Sequence, residues 1–129
     1  MRSFSLLVFL AACASKSPTP PDPTGQPPIA MTCSTSVADY CASNSCDQTL
    51  DAAKQDKNLC PATITRCGRY EVIAKGSIDT VMRWYYRDGQ LVAISNEVVP
   101  SRYFCLAGPG TFDAPHCTGT GQSLPACSP

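Results

Sequence analysis

The sequence has no excess of charge, one histidine and no long apolar run, and each absence narrows its function. Ten basic and ten acidic residues give a formal net charge of zero, so no electrostatic signal favours nucleic acid or an anionic membrane surface. No apolar run reaches the roughly 18 residues of a transmembrane helix. A single histidine, His116, and the lack of a C-x-x-C pair argue against zinc. We therefore expect no metal, no cofactor and no nucleic-acid partner.

Cysteine, in contrast, is abundant. Nine cysteines in 129 residues are typical of a small domain that folds in an oxidising compartment and is held by disulfide bonds. Cys13 lies near the N-terminus, apart from the others, and the remaining cysteines are even in number, which predicts four disulfides. These eight are Cys33, Cys41, Cys46, Cys60, Cys67, Cys105, Cys117 and Cys127.

The first 13 residues have the layout of a bacterial export signal. Arg2 supplies a positive charge, and an apolar stretch from Phe4 to Leu10 follows. Leu10-Ala11-Ala12-Cys13 resembles a lipobox, which implies that residues 1–12 are a signal peptide and that Cys13 carries diacylglycerol and acyl chains such as palmitate. An alternative stays open, because Ala12-Cys13-Ala14 also fits ordinary secretory cleavage, which would release a soluble protein beginning at Ser15.

Residues 13–31 are predicted to form a lipid-anchored, proline-rich tether. Between Ser15 and Pro28 the chain has six prolines and no apolar side chain that would nucleate a core, which favours extended polyproline II conformation. The folded domain is expected to cover residues 32–129. Ala14 is not the aspartate that retains enterobacterial lipoproteins at the inner membrane, so by analogy we expect anchoring in the outer membrane of the cell envelope.

The domain is predicted to be α+β: a short helical pair packed on a three- to four-stranded antiparallel β-meander. Ser36 is expected to cap a first helix over residues 37–41, and Cys46 or Asp47 to begin a second helix that ends near Lys54. Strands are expected at residues 70–75, 78–87 and 90–98, with a short fourth strand at 102–106.

Asp88-Gly89 predicts a two-residue hairpin turn, because both turn positions need positive φ. The turn would set three opposing pairs: Tyr86 with Leu91, Trp84 with Ala93, and Met82 with Ser95. We take this as the core face, with Trp84 and Tyr86 buried and Tyr85 exposed. At Gly76-Ser77 a three-residue loop or a bulge is favoured over a two-residue loop. The three-residue loop pairs like with like: Tyr70 with Trp84, and Val72 with Met82.

Disulfide connectivity stays open, since eight cysteines allow 105 pairings. A bond between Cys46 and Cys60 is disfavoured because an intact second helix would hold them roughly 15–20 Å apart, beyond the ~7 Å limit between Cα atoms. We predict Cys105–Cys117, and either Cys41 or Cys46 bonded to Cys60 or Cys67.

No set of residues predicts catalysis, and we expect a protein that is not an enzyme. His116 is predicted to be an exposed loop residue, and disulfides leave no thiol nucleophile. Glu71 and Glu97 are interpreted as solvated strand residues. Asp79 and Arg83 are interpreted as a surface ion pair.

Several short motifs are spread over most of the chain: Leu10-Ala11-Ala12-Cys13, the proline-rich tether, Val37-Ala38-Asp39-Tyr40-Cys41, Cys67-Gly68-Arg69-Tyr70, Ile78-Asp79-Thr80, Gly89-Gln90-Leu91-Val92-Ala93 and Cys105-Leu106-Ala107-Gly108-Pro109. Together they resemble small cysteine-rich bacterial lipoproteins of unknown function, of the kind found in myxobacteria. The resemblance implies an envelope location but no activity. We expect a non-enzymatic lipoprotein, an interaction or structural module bound to the membrane through Cys13. The alternative is a small secreted inhibitor of a hydrolase, using a rigid loop such as Cys105 to Cys117.

Overall fold

A computed structural model describes residues 26–98, 102–117 and 121–128. The predicted signal peptide, Cys13 and most of the predicted tether lie outside the described residues. The described chain contains helices α1 (Val37–Ser43) and α2 (Leu50–Lys54), and mostly antiparallel strands, as expected for an α+β domain. The strands are β1 (Ile29–Thr32), β2 (Thr63–Cys67), β3 (Tyr70–Gly76), β4 (Thr80–Arg87), β5 (Gln90–Val98), β6 (Arg102–Ala107), β7 (Thr111–Ala114) and β8 (Gln122–Ser123).

The strands form two antiparallel sheets rather than one meander of three or four strands. The larger sheet has the order β6-β5-β4-β3-β2-β8, and β1 and β7 form a separate two-stranded sheet. Strand β1 begins at Ile29, ahead of the expected domain start at residue 32, because Ile29 pairs with Ala114 of β7. Short strands such as β1, β7 and β8 carry too few residues for a clear alternation in the sequence, so the sequence prediction missed them.

The β4–β5 turn forms as predicted, with positive φ at Asp88 and Gly89, and Tyr86 opposes Leu91. A β-bulge at Val92 then shifts the register by one residue. The other two predicted pairs are therefore wrong: Trp84 lies opposite Ile94 and Met82 opposite Asn96. A bulge adds one unpaired residue to a strand, and nothing in the alternation of this segment announces it.

The two neighbouring tyrosines of β4 are both buried, Tyr85 to 2% and Tyr86 to 1% exposure, because each face of the sheet is covered. The prediction that Tyr85 is exposed is therefore wrong, and Trp84 is half-buried rather than fully buried. A strand buried on both faces loses the apolar–polar alternation from which a solvent face is predicted.

Residues 77–79 connect β3 to β4, because Gly76, which was expected in the loop, belongs to β3 and pairs with Val81. The backbone N–H of Ser77 donates to the Thr80 carbonyl at 2.8 Å, and their hydroxyls lie 2.9 Å apart. Val72 consequently opposes Tyr85, and the predicted pairing of Val72 with Met82 and of Tyr70 with Trp84 is wrong. Loop length fixes register, and the hydroxyl contacts that close this loop have no clear sequence signature.

Helix α1 begins after Ser36, whose hydroxyl accepts from the Asp39 amide at 3.1 Å as predicted. Helix α2 starts later than expected, because Thr49 caps it by accepting from the Ala52 amide at 3.3 Å. The residues before it bind the sheet instead of forming a helical turn. The Gln48 carbonyl accepts from the Leu91 amide at 2.9 Å, and the Leu50 amide donates to the Gly89 carbonyl at the same distance.

Each face of the six-stranded sheet carries its own hydrophobic cluster. On the helix face, α1, α2 and Leu124 cover residues such as Ile73, Tyr86 and Ile94. On the other face, β1 and β7 cover an aromatic cluster; its largest members are Met31, Val72, Tyr85 and Phe112. The domain therefore has three layers: helices, a six-stranded sheet, and a two-stranded sheet.

The eight cysteines form four disulfides, the number that the sequence predicts. The bonds are Cys33–Cys105, Cys41–Cys46, Cys60–Cys127 and Cys67–Cys117. The predicted Cys105–Cys117 bond is wrong, since Cys105 is bonded to Cys33, directly after β1. The predicted bond from Cys41 or Cys46 to Cys60 or Cys67 is also wrong, because Cys41 and Cys46 bond to each other across the short loop after α1.

Candidate functional site

An apolar groove of about 460 Å³ opens at the end of the sheet where β4 turns into β5. Its apolar walls come from α1, β3, β5, β7 and the β6–β7 loop. These residues are Val37, Tyr70, Leu91, Val92, Pro109 and Phe112. Among the described lining residues, Arg87 has the one charged side chain. That side chain is about half-exposed and lies 4.0 Å from Asp88.

Local backbone geometry builds the floor of this groove. The bulge leaves Val92 between the pairs Tyr86–Leu91 and Tyr85–Ala93, and Val92 consequently lines the groove. Bulges commonly re-aim a side chain next to binding sites. Beneath the floor, the Phe112 ring meets the Tyr85 ring edge-to-face, with centroids 5.0 Å apart.

Gly108 lets the β6–β7 loop pack tightly beside the groove. A Cβ atom at this position would lie 3.0 Å from the Cys33 sulfur and 3.3 Å from the Ala93 side chain. The Gly108 amide also donates to the Thr35 carbonyl at 2.9 Å. The wall of the groove is therefore fixed both by the Cys33–Cys105 bond and by main-chain hydrogen bonding.

A second depression, the polar cavity, lies between the two sheets at the other end of β1. It has a volume of about 130 Å³, and its polar lining residues are Arg83, Tyr85, Tyr103 and His116. Arg83 Nη1 donates to Glu97 Oε2 at 3.1 Å, and these side chains are only 26% and 16% exposed. The predicted Asp79–Arg83 pair is therefore wrong, and Glu97 is a half-buried ion-pair partner rather than a solvated residue.

The tyrosine hydroxyls of the cavity are kept protonated by their surroundings. Burial raises the pKa of Tyr85, whose hydroxyl lies 3.0 Å from the Ser95 hydroxyl. Burial also raises the pKa of Tyr103, and the hydrogen-bonded Glu97 carboxylate raises it further. Both phenols are thus neutral hydrogen-bonding groups around neutral pH.

His116 forms part of the cavity wall and is half-buried, so its prediction as an exposed loop residue is wrong. It follows β7 and precedes Cys117, which is bonded to Cys67 at the end of β2. That bond draws the segment back over the sheet. The sequence signal was limited to the neighbouring cysteine, because the partner of Cys117 is not readable from spacing.

Two aspartates near α2 each change the pKa of the other. Burial, followed by the hydrogen bond and charge of Asp56, raises the pKa of Asp47 to about 6. The hydrogen bond with Asp47 lowers the pKa of Asp56, and the Asn58 amide, 2.8 Å from its carboxylate, acts in the same direction. At mildly acidic pH the two carboxyl groups therefore hold one proton between them.

The remaining predicted residues are not brought into either depression by the part of the chain that the structure describes. Glu71 lines a separate polar cleft and lies 3.8 Å from the exposed Arg66. Within residues 26–98, 102–117 and 121–128, no three His, Cys, Asp or Glu residues are grouped to hold a metal. No helix among these same residues has the length and apolarity to cross a membrane.

Comparison with family models, curated proteins and solved structures gives no match to this chain.

Proposed function

We propose that this protein is a non-enzymatic envelope lipoprotein whose disulfide-held domain binds a protein partner through the apolar groove. The observation that carries this proposal is the groove itself, about 460 Å³ in volume and lined mostly by apolar side chains. Concave apolar sites of roughly 300–1,000 Å³ with few polar groups are typical of binding sites. One bulky apolar side chain of a partner, with its flanking backbone, fits this shape.

A binding role is favoured over catalysis by the state of the reactive groups. Every cysteine in the described ranges is in a disulfide, which removes the thiolate as a nucleophile there. The described residues that line the groove include no histidine or carboxylate. A rigid surface without acid–base groups suits recognition of a partner's shape.

The location of the protein at the membrane is also a proposal. Lipidation of Cys13 would anchor the chain, since two or more acyl chains make membrane attachment stable. A proline-rich tether of polyproline II type would hold the domain up to roughly 40 Å from the bilayer. Intact-mass analysis of the mature protein tests this: a start at Cys13 with acyl mass supports it, and a start at Ser15 contradicts it.

The binding proposal is tested by a charge on the groove floor. We expect Val92→Asp to abolish crosslinking of the protein to its partner in cell envelopes, because a carboxylate there is desolvated by any apolar ligand. The matched control is Ile78→Asp, the same kind of change at a side chain that is 95% exposed and far along the sheet. Equal melting temperatures of the two variants would show that folding is intact. Crosslinks that persist in Val92→Asp contradict the groove as the contact surface.

One observation favours the second candidate, inhibition of a secreted hydrolase. The loop from Ser77 to Thr80 is closed by its own hydrogen bonds and presents Ile78 almost fully to solvent. A rigid loop with an exposed apolar side chain suits insertion into a specificity pocket. If this is the function, the wild-type domain and Val92→Asp inhibit a secreted protease equally, and Ile78→Asp loses inhibition.

A further inference from the structure

We propose that the polar cavity is a binding site for a carboxylate group, independent of the apolar groove at the opposite end of the two-stranded sheet. Its walls come from both sheets: Arg83, Tyr85 and Tyr103 from the six-stranded sheet, and Ile29 and His116 from the segments around the two-stranded sheet. The cavity therefore exists only when the two layers are assembled.

Among the described residues, the cavity wall offers hydrogen-bond donors and no carboxylate. Arg83 has five N–H donors in a planar fork, of which Nη1 is directed to Glu97. Glu97 itself does not line the cavity. The Tyr85 hydroxyl turns its proton to the cavity when Ser95 donates to it, and the Tyr103 hydroxyl belongs to the same wall. A carboxylate, which only accepts, matches this wall.

Glu97 is a positioning residue in this arrangement. It accepts from the Arg83 guanidinium at 3.1 Å and also hydrogen-bonds the Tyr103 hydroxyl, so two parts of the wall are fixed by one carboxylate. The planar guanidinium fork is complementary to carboxylates in bidentate geometry. About a quarter of the Arg83 side chain remains exposed, which leaves it accessible to a ligand.

Size and charge select among anions. A volume of about 130 Å³ corresponds to about four water molecules at ~30 Å³ each, enough for a carboxylate and a small substituent. Because Glu97 already balances the charge of Arg83, the wall has no net charge to offset the larger desolvation cost of a dianion. A monoanionic carboxylate is favoured over phosphate on this ground.

The test is a titration of the isotope-labelled, oxidised protein with acetate, followed by amide shifts in NMR spectra, at constant ionic strength. We expect saturable shifts around the cavity with millimolar affinity. The double variant Arg83→Gln/Glu97→Gln removes both charges together, so that no buried charge is left unpaired, and should weaken acetate binding at least about tenfold. Arg87→Gln, an arginine change at the groove, is the matched control and should leave affinity unchanged.

Two further ligands, N-acetylglycine and phosphate, and one further variant extend the test. N-acetylglycine mimics the carboxyl end of a peptide; if it binds more tightly than acetate, the carboxylate belongs to a peptide partner, and otherwise to a small free acid. Arg83→Lys keeps a positive charge beside Glu97 but loses the planar fork, and it should weaken acetate binding about tenfold. The proposal is overturned if phosphate binds as tightly as acetate, or if both cavity variants bind acetate as the wild type does.

Discussion

The two faces of the six-stranded sheet are each covered by a thin layer and each carry two disulfides, but their covers are attached differently. The helix face packs aliphatic side chains such as Ile73 and Ile94, and the segment before α2 also exchanges backbone hydrogen bonds with Gly89 and Leu91. The opposite face packs aromatic rings under two strands of four residues each. Its disulfides, Cys33–Cys105 and Cys67–Cys117, join residues far apart in sequence.

The difference explains where the candidate sites lie. A two-stranded sheet is marginally stable in water by itself, so β1 and β7 depend on disulfides and aromatic packing to stay in place. Strands β1 and β7, with four residues each, are also shorter than β4 and β5, which have eight and nine. A short cover over longer strands leaves both ends of the face open. The groove lies at the Phe112 end, and the polar cavity at the Ile29 end.

The largest expected effect comes from cutting the bond between the layers. Cys33→Ser/Cys105→Ser opens a loop of 72 residues, and the chain-entropy model gives a loss of about 4 kcal/mol in the free energy of unfolding. Cys41→Ser/Cys46→Ser opens a loop of 5 residues on the helix face, with a loss of about 2 kcal/mol. Denaturant unfolding measures both. Cys60→Ser/Cys127→Ser opens a loop of 67 residues on the helix face and is the control of matched loop length. A loss equal to that of Cys33→Ser/Cys105→Ser would contradict the view that the two-stranded cover depends more on its disulfides.

A smaller effect compares the adjacent tyrosines, one on each face. Tyr85→Phe leaves the fully buried Ser95 hydroxyl without its partner, at a cost of about 2 kcal/mol. Tyr86→Phe removes a 2.7 Å bond to the Asp47 carbonyl, which is part-buried, and since water can replace it we expect about 0.5–1 kcal/mol. Thermal melting of the two variants checks the order. A larger loss for Tyr86→Phe would show that the helix face excludes water more completely.

The smallest effect is the pH response of the helix face. Because the folded-state pKa of Asp47 is raised to about 6, its contribution to stability is present below its ordinary pKa and is lost as pH rises through about 6. Asp56, with a lowered pKa, contributes in the opposite sense and only at lower pH. Asp47→Asn should abolish a loss of about 1 kcal/mol between about pH 4 and pH 7, a figure reduced for solvent screening. Asp79→Asn, at an exposed position, is the control and should keep the wild-type dependence of stability on pH. Urea unfolding at a series of pH values measures this dependence.

Local chemistry in the sequence predicted the parts of the fold that depend on neighbours in the chain. The Asp88-Gly89 turn needs positive φ, and Ser36 has a cap partner three residues away, so both were readable. Asp47 was as good a cap candidate as Thr49 by residue type. Long-range hydrogen bonds keep Asp47 out of α2: Tyr86 donates to the Asp47 carbonyl across 39 positions, and Leu91 donates to the Gln48 carbonyl.

The candidate sites depended on distant contacts and were harder to predict. The bulge at Val92 and the bonding of Cys117 to Cys67 decide the floor of the groove and the position of His116. Neither leaves a local pattern, since disulfide pairing is fixed by the folded backbone. Arg83 was assigned to Asp79 by proximity along the strand, whereas its partner Glu97 lies across the sheet.

The order of β1 and Cys33 along the chain has a mechanical consequence. A force that pulls on the chain before Ile29 acts first on the four residue pairs of β1 and β7. Once the β1–β7 residue pairs have separated, the force acts on Cys33, which is covalently bonded to Cys105 of β6. The load then passes into the edge of the large sheet through a bond that hydrogen-bond rupture cannot open. Strain from a membrane anchor would thus detach a single strand and stop there, leaving the helix face and its cluster folded.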